Sequence, residues 1–218
     1  VHIIPTKVGD KVASSVYSTA NTSKFSQVLS AINSLSTSQI LALNPEQVSF
    51  ISTQQIWKLG PAVIKAFSVN QIKNFTTSQI RAFSSIHVAA LTTEDLRAMT
   101  QAQVQAIEPS AISGLSGSTI SSLGPYFIKM LTPSQVAGLG ENQLSAFTSS
   151  QLGILSASQI SALSGGAIST LNSRQFRAID PEMMSQFSNT QFSFLNSKLL
   201  SSIISMTSDQ IANLTPQE

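Results

Sequence analysis

SerThrSerGlnIleLeuAlaLeu (36–43), AsnProGluGlnValSerPheIle (44–51) and SerThrGlnGlnIleTrpLysLeu (52–59) are three consecutive copies of one pattern. The pattern runs on without a slip of phase to Ile203, 21 units of eight residues. Positions five and eight of the octad are apolar in all 21 units. Position one is Ser, Thr, Asn, Asp or Gly in every unit but the one that opens with Glu108, and position four is Gln in 12. A repeat this regular points to an array in which each unit buries its apolar side only against other units.

The preferences spell the start of a helix. A hydroxyl, amide or carboxylate at an N-cap accepts a bond from an unpaired backbone amide, and Gln three residues later reaches back to the cap's own N–H. Position two is then the first helical residue, where proline is tolerated. Pro45, Pro61, Pro109, Pro125, Pro133 and Pro181 all stand there. After residue 45 all nine acids fall on the cap or in the first turn, while seven of nine bases fall in the second half of a unit. The helix dipole favours that sorting, and a strand has no reason for it. The i, i+3 spacing of positions five and eight also fits a helix, since it has opposite parity on a strand.

One continuous α-helix is excluded as well, because eight residues overshoot two turns by roughly 80° and the apolar stripe would wander. The expected fold is therefore all-α, a superhelical solenoid of about 22 very short helices, one per octad. Helices this short are not stable alone, so stacking must hold them. Residues 1–35 read as an N-terminal segment and capping helix, with Phe25, Val28, Leu29 and Ile32 at helical spacing. Residues 36–203 form the solenoid. Residues 204–218 hold a phase-shifted final repeat and an end that stops within a unit, which reads as a cut from a longer array or an end completed by another molecule.

Charged residues make up only 10% of the chain and serine is abundant, so hydroxyls and amides do much of the solvating. A net charge of +2 is no nucleic-acid footprint. The absence of cysteine rules out disulfides and thiolate metal sites. No apolar run approaches the ~18 residues that span a bilayer. His2 and His87 are the two histidines, and His87 replaces the usual Gln at position four. Paired acids occur as Glu94–Asp95 and Asp180/Glu182, both in first turns where the dipole accounts for them. Nothing here assembles a nucleophile, a base and an orienting group, a metal-ligand spacing or a phosphate loop. The expectation is a chain without catalysis, metal or cofactor.

One row suggests binding. Trp57, Lys65, Lys73, Arg81 and Arg97 occupy position six of nearby octads, with Ala89 interrupting. If successive units align, this is a basic ladder with an aromatic end, suited to an acidic glycan or an acidic protein surface. Position six also lies near the helix C-terminus, where cations are favoured without any ligand.

The octads 44–51, 52–59 and 132–139 resemble the short-helix repeats of the mesothelin and stereocilin family, and similar repeats of large secreted bacterial proteins. The resemblance implies a superhelix of short helices and a non-catalytic role in adhesion at the cell surface. This chain departs from that family in lacking cysteines and a hydrophobic tail. LeuThrProSerGlnVal (131–136) is also similar to the opening of the DNA-reading repeats of plant-pathogen effectors, but those units are far longer and need basic charge that is missing here. The expected function is therefore an extracellular or cell-surface structural or adhesive protein that binds protein or glycan surfaces and assembles end to end. The alternative is an intracellular protein-binding scaffold of armadillo-like type.

Overall fold

The computed structural model describes residues 32–194 and residue 208. Every octad from 36–43 to 188–195 contributes one short helix, from Thr37–Leu41 to Asn189–Ser193, and the described residues contain no strand. The unit Pro181–Gln186 winds as a 3-10 helix rather than an α-helix. The expected all-α solenoid is what forms. The N-terminal segment and capping helix expected in residues 1–35 fall mostly outside the described residues, which begin with a 3-10 turn at Ile32–Ser34, and the phase-shifted repeat expected in 204–218 lies outside them apart from residue 208.

The caps follow the sequence closely. In octad 132–139 the Thr132 hydroxyl accepts from the Gln135 N–H at 3.2 Å, and Gln135 Oε1 accepts from the Thr132 N–H at 2.9 Å. The same reciprocal pair closes the starts at Ser36, Asn44, Ser52, Ser68, Thr76, Thr100, Thr148, Ser156, Asn172 and Ser188. The corner between helices needs no left-handed residue. Leu131 at position eight (φ −63°, ψ 137°) and Thr132 at position one (φ −71°, ψ 157°) are both extended. Two such residues turn the chain, so the corner tolerates any side chain and leaves position eight free to be large and apolar.

Position five is at most 1% exposed from Ile40 to Met184, and position eight is buried in every unit from Leu43 to Phe187. Together with Ile32 they form one continuous core. Ile32 and Leu35 fall in the register of positions five and eight, so the core extends into the unit before residue 36. Position-eight side chains of consecutive octads touch along the interior. Phe67 meets Phe75 edge-on at 5.1 Å, and Phe75 meets Phe83 at 5.6 Å.

The stacking interval is set by how far one octad carries the chain around the axis. Each helix packs on the third one along: Pro61–Ala66 on Ser85–Ala90, and Pro133–Ala137 on Ala157–Ala162. Hydrogen bonds between turns join residues 25 (Ser161 to Gln186), 28 (Gln71 to Leu43) and 31 (Gln71 to Ile40) apart. A superhelical turn therefore holds about 28 residues, three and a half octads. Close approach accompanies it. A Cβ on Gly114 would run into the Ser85 carbonyl, and one on Gly138 would lie 2.5 Å from that of Pro109. Both glycines are at position seven, which packs against the helix start of the turn before. That contact explains the frequent Ala at position seven.

Candidate binding surface

Positions one, four, five and eight are committed to the fold, and position four in a way the capping pattern does not reveal. A helix of one turn leaves its last carbonyls without partners, and position eight, just past the helix end, is buried. The Gln of the fourth octad along supplies the donor. Gln135 Nε2 donates to the carbonyls of Val104 and Ile107, each at 2.7 Å, while its Oε1 holds the Thr132 cap. Gln71, Gln79, Gln103, Gln143, Gln151, Gln159, Gln175 and Gln191 reach the preceding turn in the same way. Gln39, Gln47 and Gln55, in the first three octads, keep their caps but have no such partner among the described residues, and they are only half-buried.

His87 performs the same double task. The Ser84 N–H donates to Nδ1 at 3.0 Å, which fixes the proton on Nε2, and Nε2–H donates to the Leu59 carbonyl at 2.8 Å. Its ring is 3% exposed and lies edge-on to Phe83 at 5.7 Å. Asp95, also buried, keeps only the capping half: Oδ2 accepts from the Thr92 N–H at 2.9 Å and from its hydroxyl at 2.7 Å. His87 thus ties two turns together, while Asp95 closes the cap of its own helix. Among the described residues no three His, Asp or Glu side chains gather as a metal site would require. No described helix is long and apolar enough to cross a membrane.

What remains for contact with other molecules is the outer row of positions two, three and six, with part of seven. Trp57, at position six, is 71% exposed and edges a shallow groove with Thr53, Gln54, Lys58 and Ala82. Ala82 belongs to the next turn of the superhelix. Tyr126, at position three, is 72% exposed.

The five residues of the basic row are all exposed, but the turn length distributes them. Successive octads point in different directions, and the neighbours across turns are three and four octads apart. Trp57 and Arg81 share one face, since their helices Thr53–Trp57 and Thr77–Arg81 stack. Lys73 and Arg97 share another, on the stacked helices Val69–Ile72 and Thr93–Ala98. Lys65, four octads before Arg97, flanks the second face.

Arg81 pairs with Glu108 at 3.5 Å, and Arg97 donates to the carbonyl of Ser122 in the next turn. Asn33, Gln105 and Ser161 make the equivalent bond from position six to the carbonyls of Lys58, Met130 and Gln186. Position six therefore ties turns together where its side chain can donate. Lys129 was not part of the row read from sequence, because position six of the octads between it and Arg97 holds Gln105, Ser113 and Ser121. A spacing of four octads makes it Arg97's neighbour one turn on, a relation visible only once the turn length is known.

No family model matches the chain, and no curated protein or solved structure matches it either.

Proposed function

We propose that the chain is a non-catalytic structural or adhesive repeat protein working outside the cell, whose outer row of side chains binds protein or glycan surfaces and whose units continue end to end in a longer assembly. The observation that carries this reading is the exposure of Trp57 and Tyr126, 71% and 72%, outside the buried rows. Aromatic side chains with one wet face are the usual anchors of protein and sugar contacts, and truncating such an anchor typically costs about 2 kcal/mol or more. The polar rows support it too, because the position-one oxygens and position-four amides are spent on caps and turn-to-turn bonds. The resemblance of the octads to mesothelin-type repeats agrees with an adhesive role.

The test is adhesion of the purified chain to glycan-coated and protein-coated surfaces, beside a Trp57→Ala variant. The expected outcome is surface binding that falls at least about tenfold in the variant, with the melting temperature unchanged. A chain that binds none of these surfaces, or that turns over substrate in a broad hydrolase and transferase screen, contradicts the reading.

A further inference from the structure

The position-six cations gain new neighbours from the turn length. Lys65 lies four octads before Arg97, Lys73 three octads before it and Lys129 four octads beyond it. Three or four octads is the distance between neighbours on adjoining turns. All four side chains are exposed. We propose that Lys73, Arg97 and Lys129, flanked by Lys65, form one cationic face that binds a linear acidic polysaccharide lying along the superhelix axis. This deepens the adhesive reading, on which it rests, by naming the class of ligand.

Charge and its spacing argue for it. Arg81 is neutralised by Glu108, which stands at position one of the fourth octad along. The residues in that place for Lys65, Lys73, Arg97 and Lys129 are Thr92, Thr100, Gly124 and Ser156, and none is acidic. No described residue bonds to the ammonium groups of Lys65, Lys73 or Lys129. Arg97 gives one N–H to the Ser122 carbonyl and keeps further donors on its guanidinium for a ligand. The four octads involved contain two acids, the buried Asp95 and the exposed Glu94 on Arg97's own helix, so the face keeps a surplus of positive charge.

Stacked helices lie about 8–10 Å apart, so the face offers roughly one cation per turn along its length. A polysaccharide with one carboxylate or sulfate every sugar or two has a comparable charge spacing. Duplex DNA carries a charge every ~1.7 Å of axis, far denser than this face neutralises.

The test uses sulfated dextran and polygalacturonate as probes, with neutral dextran and duplex DNA as comparisons. The full chain is measured beside the variant carrying Lys65→Gln, Lys73→Gln, Arg97→Gln and Lys129→Gln. Glutamine suits position six, where Gln105 already bonds to the next turn. A second variant with the same charge change, Lys11→Gln, Lys24→Gln, Arg174→Gln and Lys198→Gln, separates the face from net charge, and circular dichroism confirms that both are folded. The expected result is binding to both acidic polysaccharides that weakens with salt, falls at least about tenfold in the first variant and changes less than about threefold in the second. Absence of binding by the unaltered chain at low salt, equal loss in both variants, or tighter binding of duplex DNA overturns the proposal. Loss of this proposal with Trp57-dependent adhesion intact leaves the broader reading standing; loss of both removes the adhesive reading itself.

Discussion

The side chain that decides stability is the position-four glutamine, because it serves two turns at once. Gln135 is 1% exposed, and its removal strips a cap and leaves two buried carbonyls without their donor. Gln135→Ala should cost about 3 kcal/mol in urea unfolding, and Gln135→Glu at least as much, since it sets a carboxylate oxygen against two carbonyls. Thr132→Ala should cost only about 1 kcal/mol, because Thr132 makes the cap while the Gln135 amide keeps its two carbonyls of the preceding turn. Asp95→Gln should add about 1 kcal/mol by supplying the donor that the octad lacks, toward the carbonyls of Ile64 and Phe67. Equal losses at residues 132 and 135 would mean that capping is the glutamine's whole role. The capping half was legible in the sequence. The other half left a trace that capping does not explain: a capping box accepts Glu as readily as Gln, yet position four of the 21 in-phase octads never holds Glu. A site that needs the amide's donor excludes Glu in this way, and the one acid found there, Asp95, makes the cap without the second bond.

At the scale of one helix, the octad is a single turn bounded by an N-cap and a two-residue extended corner, and packing across turns sets its tolerances. Gly114→Ala should destabilise by about 2 kcal/mol or more, because its Cβ would run into the rigid backbone of Ser85. Gly60, an N-cap whose added Cβ meets nothing within 4 Å, is the contrast. Gly60→Ser should be neutral or stabilise by a few tenths of a kcal/mol through a new cap. Thermal melts of the two variants check both directions. The helix boundaries, the proline positions and the buried rows at five and eight could be read from the repeat, since each depends on residues within one octad. The faces could not. Which position-six residues are neighbours depends on contacts 25 to 31 residues away, and an eight-residue pattern carries no record of the superhelical twist. Trp57, Lys65, Lys73, Arg81 and Arg97 follow one another closely in the repeat and nonetheless divide between faces.

At the scale of the whole molecule, three and a half octads to the turn give the array the arithmetic of a coiled coil, with octads in place of residues and faces recurring every third and fourth unit. A single turn has no turn above or below it, so its glutamines and position-five residues find no partners. A fragment of residues 36–67 should therefore be unfolded by circular dichroism, while one of residues 36–147 should be helical and melt cooperatively. The central claim is the turn length itself, and a cysteine-free chain permits a direct measurement. Ser161 Oγ lies 3.3 Å from the carbonyl oxygen of Gln186, three octads on. The double variant Ser161→Cys with Gln186→Cys should close a disulfide under mild oxidation, while Ser161→Cys with Ser169→Cys, the same position in the next octad, should stay reduced. Cross-linking of the second pair and not the first would show that consecutive octads stack directly, and would contradict the superhelix described here.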